Sequence, residues 1–252
     1  MSAPTRIGLV VPSSNTTIET EVPEMLRRTG ADYTFHSSRA VLHNVDAESL
    51  EAMVGQADRC ASELSDARVD AIVYACLVAL MARGPGAHDA VEERLGEVAR
   101  AGGADPAISS SAGALVRMLR AHGLTRVAIL TPYLDALTQL VREYLEAAGI
   151  TVVDALSLRV PDNVAVGRLD PLRLPELAAG LDLGGADAVI ISACVQMPSL
   201  AAIPVAEERL GLPVLSAATA TVHDLLERLG RPAEVPGAGR LLARGRPAAK
   251  AG

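Results

Sequence analysis

Two cysteines, Cys76 and Cys194, each follow an alanine at the end of a short apolar run, Val73-Tyr-Ala-Cys76 and Ile191-Ser-Ala-Cys194. A thiol at the end of a buried strand is poised to act as a nucleophile or a proton carrier once it is ionised. The two runs are 194 − 76 = 118 positions apart. Other landmarks keep nearly that offset: Arg6–Pro12 echoes Arg126–Pro132, displaced by 132 − 12 = 120, and Asn44 and Asn163 are displaced by 163 − 44 = 119. An internal duplication of this length places equivalent thiols on two copies of one unit. Facing each other about a pseudo-twofold axis, they would approach a single cleft from opposite sides, as chemistry at adjacent atoms of one small molecule requires.

The third cysteine, Cys60, reads differently. It shares an apolar face with Met53, Ala57 and Leu64 in a helical segment Ala47–Leu64, so packing is its expected role. The first turn, Pro12-Ser-Ser-Asn-Thr-Thr-Ile-Glu19, has two readings. Asn15 or Thr16 can cap the helix that follows, with Thr16 and Glu19 at capping-box spacing. Alternatively, exposed amides and the Asn15 carboxamide hold a carboxylate with no cationic side chain. Tyr133 is either the first aromatic of an amphipathic helix or a cavity group, and Asn163 a turn residue or a second amide donor.

The elements needed to position these residues are legible as alternation. Ile7–Val11, Ala71–Tyr74, Val127–Leu130, Ile150–Val153, Ala188–Ile191 and Pro213–Leu215 are strand-length apolar runs separated by segments of helical period, the βαβ pattern of parallel sheet. A helix from about Leu134 to Ala148 carries Leu137, Leu140, Val141, Tyr144 and Leu145 on one face and stops at Gly149. Pro106-Ala-Ile-Ser and Pro213-Val-Leu-Ser repeat a strand-then-serine pattern at the smaller offset 213 − 106 = 107, so the second copy is shorter after its cysteine. The expected fold is α/β, with two pseudo-symmetric Rossmann-like domains over 1–112 and 113–216. Each is a four-stranded parallel sheet flanked by helices, and ligands bind beyond the carboxyl ends of the strands at the interface. A final helix, about 217–230, is expected to pack back on the first domain, and 231–252 to form a weakly ordered tail.

Composition removes other chemistries. The only lysine, Lys250, lies in a Pro/Gly/Ala-rich end, which disfavours a Schiff base or a Walker-type phosphate loop. The five histidines show no metal-ligand spacing, and no dinucleotide fingerprint follows the first strand, so neither metal nor cofactor is expected. A net charge of −7 with interspersed signs argues against nucleic acid, and local donors must hold any anion. With 2% aromatic residues and no Trp, the core must be built from Ala, Val, Leu and Ile. No apolar stretch is long enough for a bilayer, nothing at the start reads as a signal peptide, and the sparse thiols suit a reducing cytoplasm.

At Pro12-Ser-Ser-Asn-Thr-Thr, Tyr74-Ala-Cys-Leu-Val-Ala79, Thr131-Pro-Tyr133 and Ser192-Ala-Cys-Val-Gln-Met-Pro-Ser-Leu200 the sequence resembles the maleate cis-trans isomerases of the aspartate/glutamate racemase superfamily. The resemblance runs from about residue 5 to about residue 228. It implies cofactor-free isomerisation of maleate to fumarate, with Cys76 adding to the alkene and Cys194 moving a proton at the neighbouring carbon. It also implies a small dicarboxylate as ligand and carries over Asn15, Tyr133 and Asn163 as site residues; the amides of the residues after each thiol, Leu77, Val78, Val195 and Gln196, are the further candidates for substrate binding. A homodimer is the expected assembly. Racemases of the superfamily follow their first cysteine with Asn-Thr and the second with Thr, where this chain has Leu77-Val78 and Val195-Gln196; arylmalonate decarboxylases keep only the second cysteine. Two other functions remain open on the residues alone. One is a two-thiol racemase or epimerase of an amino acid or hydantoin; the other is a two-domain binding module without chemistry. A helix N-terminus beside either cysteine is expected to lower its pKa.

Overall fold

The computed structural model describes residues 3–42 and 44–243. Among these residues eight strands form two four-stranded parallel sheets. The first contains β1 (Thr5–Pro12), β2 (Tyr33–Ala40), β3 (Ala71–Tyr74) and β4 (Ala107–Ser110) in the order β2-β1-β3-β4. The second contains β5 (Arg126–Thr131), β6 (Thr151–Ser157), β7 (Ala188–Ser192) and β8 (Val214–Ser216) in the order β6-β5-β7-β8. The orders are the same, as duplication requires. In each sheet the chain reverses its winding between the first and third strands, and a crevice opens beyond their carboxyl ends at such a point. Asn15 and Cys76 lie at that point in the first sheet, Tyr133 and Cys194 in the second.

The helices of the first half are α1 (Ile18–Arg27), α2 (Ala47–Gly55), α3 (Ala57–Asp66), α4 (Leu77–Met81), α5 (Ala87–Ala101) and α6 (Ser111–Ala121). Those that follow are α7 (Asp135–Ala147), α8 (Asn163–Val166), α9 (Leu174–Ala178), α10 (Ile203–Leu210) and α11 (Ala217–Arg228). The strands β3, β5, β7 and β8 are buried on both faces except for Arg126, which explains their continuous Val/Ile/Leu/Ala character. β2 was not among the strand runs legible in sequence. It is an edge strand, Tyr-Thr-Phe-His-Ser-Ser-Arg-Ala, only partly buried over most of its length and mostly polar.

Two boundaries differ from the sequence expectation. The segment Ala47–Leu64 is two helices rather than one, broken at Gln56, whose Oε1 accepts from the Val41 amide at 2.9 Å. Cys60 lies on the buried face of α3, as expected of a packing residue. The tail also departs from expectation as far as residue 243. Val235, Ala238 and Leu242 are buried, and the Arg240 amide donates to Glu207 Oε1 at 2.9 Å. Three well-spaced apolar side chains suffice to pin a Pro/Gly-rich segment; residues 244–252 lie outside those described.

The last helix, α11, packs against α6, α1 and β4, returning the chain to the first sheet. A buried ionic cluster fixes it there. Asp224 accepts from Arg117 Nε at 2.7 Å, Arg228 Nε at 2.9 Å and Ser109 Oγ at 2.6 Å, while Glu92 accepts from Arg117, Arg228 and Ser110. Burial alone would raise the Asp224 pKa; the bonds to Arg117 and Ser109 outweigh it and hold the carboxyl below its ordinary value. A depressed carboxyl contributes stability above its unfolded pKa, and that contribution is lost as pH falls through the folded value. Asp224→Ala leaves Arg117 and Arg228 to share Glu92 alone and takes the acceptor from Ser109, and is expected to cost about 1.5–3 kcal/mol at neutral pH. Thermal unfolding of parent and variant should show that gap narrowing below about pH 4.

Candidate active site

Between the two half-sheets lies a cavity with about 290 Å³ of empty space. Asn15, Cys76, Leu77 and Val78 line it from the first half, and Tyr133, Asn163, Cys194, Val195 and Gln196 from the second. All nine residues singled out in the sequence therefore meet at one place. Pro12, Leu42 and Val45 complete the wall. Leu42 and Val45 carried no chemical signal; they flank Asn44, the landmark of the first repeat, which is itself exposed. A larger hollow, about 820 Å³, lies at the opposite end of the first sheet beside Tyr33, which opens β2; it contains no thiol.

Cys76 sits immediately after β3 and precedes α4, in an extended backbone conformation at φ −142°. Its sulfur accepts from the Ala79 amide, yet burial dominates and pushes the thiol up to about 12. Cys194 follows β7. Burial raises its pKa too, opposed by hydrogen bonds from the Tyr133 hydroxyl and from the Gln196 and Met197 amides. The Gln196 amide is 3.4 Å from the sulfur. The expected lowering at a helix N-terminus is thus outweighed: removing a sulfur anion from water costs more than one amide, or three donors, return. The Cys194 sulfur also raises the Cys76 thiol, because a thiolate at Cys194 repels one at Cys76. The pair therefore favours at most one negative charge. Cys194, with three donors against one, is the better place for it.

Tyr133 is 5% exposed and hydrogen-bonded to Cys194, and its own pKa is driven well above 10 by burial and then by the two sulfurs. It stays a neutral hydroxyl donor. Asn15 Oδ1 accepts from the amide of Ile18, the first residue of α1, at 3.1 Å, a bond of the kind its capping reading anticipates, although Thr17 holds the cap position itself. The Thr16–Glu19 capping box does not form; Glu19 pairs with Arg39 instead, and Arg39 also donates to the Ser13 and Asn15 carbonyls at 3.0 Å.

Asn163 and Gln196 serve the contact between the halves. Asn163 Nδ2 donates to Ser14 Oγ at 2.6 Å, and its carbonyl accepts from Gln196 Nε2 at 2.9 Å. Gln196 borders the cavity, but its side-chain amide is spent on main-chain partners and offers nothing further to a substrate. Among the described residues no cationic side chain lines the cavity, and no group of His, Cys, Asp and Glu could hold a metal ion. No helix among them is long and apolar enough to cross a membrane.

Paired parallel α/β halves that close on one thiol from each side define a class of two-thiol enzymes. The chain belongs to the arylmalonate decarboxylase family, which it matches over residues 7–242, and near relatives within it are maleate isomerases. Maleate isomerase of Geobacillus stearothermophilus is 53% identical over 94% of this chain and 96% of its own length. The solved structure of a Nocardia farcinica maleate cis-trans isomerase variant with a covalently bound succinylcysteine intermediate superposes with a TM-score of 0.94 at 49% identity, covering 96% of this chain and 100% of the other. A Pseudomonas putida S16 maleate isomerase variant crystallised with maleate gives a TM-score of 0.94 at 47% identity, covering 96% and 98%.

Proposed function

We propose that the protein isomerises maleate to fumarate without a cofactor, through a succinyl adduct on Cys76. The observation that carries this reading is the pair of buried thiols, one from each half, bordering a single small cavity furnished with neutral hydrogen-bond donors. The relative trapped with a succinylcysteine supports the covalent route.

The electron and proton balance follows from the two thiols. When the pair has lost one proton, Cys194 holds the charge and acts as base. It accepts the Cys76 proton as the Cys76 sulfur bonds to one alkene carbon. The π pair moves onto the second carbon and its carboxylate, giving an enediolate that Asn15 and neighbouring amides stabilise. Cys194 then passes the same proton to that carbon. The former double bond is now single and rotates. Removal of the proton by Cys194 and departure of the Cys76 sulfur restore the alkene as fumarate, and the proton passes from Cys194 back to Cys76, so the starting pair is regenerated with no atom gained or lost.

Apolar walls at Leu42, Val45, Leu77, Val78 and Val195 keep water from quenching the enediolate. Proton NMR of the purified protein with maleate and no added cofactor should show the fumarate resonance growing as maleate declines. Unchanged maleate, with solvent deuterium entering an amino acid or hydantoin, would select racemase chemistry instead. The reading includes a homodimer in a reducing cytoplasm, consistent with three free thiols, and sedimentation velocity tests the assembly.

A pH dependence follows with a definite sign. Both thiols are raised by burial, so the singly ionised pair is a minor species at neutral pH. The value of kcat/KM should therefore climb with pH, approaching about tenfold per unit between about pH 6 and 8. A profile flat across that range would mean that the resting pair is already ionised.

A further inference from the structure

Gln196 is 2% exposed and uses its whole carboxamide in hydrogen bonds, those to Ser14, Thr16 and Thr17 crossing the boundary between the halves. Its Oε1 accepts from the Thr16 amide at 3.1 Å and the Thr17 amide at 3.5 Å; its Nε2 donates to the Ser14 carbonyl at 3.0 Å and to the Asn163 carbonyl at 2.9 Å. Two amides face the oxygen and two carbonyls face the nitrogen, so the partners admit only one orientation of the group. The same residue donates its main-chain amide to the Cys194 sulfur. One amino acid thus ties the second thiol to the Ser14–Thr17 loop that presents Asn15.

Space behind the carboxamide is reserved. A Cβ on Gly167 would lie 2.7 Å from Gln196 Nε2 and 3.1 Å from its Cδ, although the Gly167 backbone at φ −67° is one that any residue adopts. The glycine is required there for room, not for conformation. A second tie parallels the first: Glu21 Oε1 accepts from the Ser199 amide at 2.6 Å and the Leu200 amide at 2.7 Å, further along the same two segments. With two ties on one pair of segments, the loss of one leaves the halves assembled but free to shift at the other.

We propose that Gln196 is a positioning residue. Its side chain holds Cys194 in register with the Asn15 loop and with Cys76, so that one diacid meets a donor and two sulfurs at once. The proposal rests on the isomerase reading for its kinetic consequences, but the register it describes exists without substrate. The neighbouring Asn163-to-Ser14 bond cannot substitute for it, because that bond does not involve the Cys194 segment.

The test uses Gln196→Glu, which keeps the shape but turns an oxygen toward two carbonyls, Gln196→Met, which keeps the volume without polar atoms, and Gly167→Ala, which leaves Gln196 in place and crowds it. Expected for all three is a fall in kcat, by about 10²-fold for Gln196→Met, with KM changed far less. The solvent deuterium isotope effect on kcat should increase, because proton transfer through a displaced Cys194 becomes the slow step. A merely structural role would lower the melting temperature without moving that isotope effect.

Cross-linking of Cys76 to Cys194 by dibromobimane, scored by peptide mapping, supplies a readout that needs no substrate. The bridged product should form in the parent and decline in the Gln196 variants. If the parent cross-links but leaves maleate unchanged, the isomerase reading fails while the register is still measured. Variants that retain parental kcat, isotope effect and cross-linking overturn the proposal.

Discussion

Cys76→Ser is expected to lower kcat/KM for maleate by about 10⁴-fold or more, with circular dichroism and thermal unfolding close to those of the parent. Serine nearly preserves the shape of the side chain and can still accept from the Ala79 amide, so the cavity remains formed. What it removes is a soft, polarisable nucleophile suited to an alkene flanked by carboxylates. Among the described residues no His, Lys or carboxylate side chain lines the cavity to activate a hydroxyl in its place. A variant retaining a tenth of parental activity would show that covalent addition at this position is not on the main path.

Cys194→Ala is expected to cost about 10³–10⁴-fold in kcat, near the upper end of what one acid–base group supplies. The loss is twofold in origin: Cys76 has no base to take its proton, and the enediolate has no acid to quench it. Removing the Cys194 sulfur also removes a source of repulsion, so the remaining Cys76 thiol should titrate lower than in the parent. The rate of Cys76 alkylation by iodoacetamide as a function of pH reads that change directly, with the midpoint moving to lower pH. A midpoint that stays in place would mean that the sulfurs do not interact. The two substitutions thus differ in kind: the first removes the bond-forming atom, and the second leaves it present but slow to load and unload.

The parts of the site legible in sequence were those set by local pattern and repetition. Strand ends at Cys76 and Cys194, the turn at Asn15 and the start of the helix after Tyr133 each follow from an apolar run meeting a polar turn, and a nearly constant offset pairs them. Cys60, although the same residue type, was separable because helical periodicity placed it on a buried face. What was not legible depends on contacts between distant segments. Gln196 reaches residues about 180 positions away to find its partners, and nothing in its local sequence marks that. The direction of the thiol pKa shift was hidden for a related reason: burial on all sides arises only when the two halves close, and it exceeds the local help from a helix N-terminus. The polar edge strand β2 and the packed segment through Leu242 escaped notice because exposure on one side, or a few spaced apolar residues, leave little periodic signal.

The central claim is that maleate becomes covalently attached to Cys76 before its double bond turns. The most direct measurement is peptide mass mapping after acid quench of Cys194→Ser incubated with maleate, where solvent slowly supplies the proton and the missing base delays elimination. The account predicts a mass increase of one whole maleic acid, confined to the peptide carrying Cys76. An adduct on Cys60, or fumarate formation with no adduct on any cysteine, would contradict it.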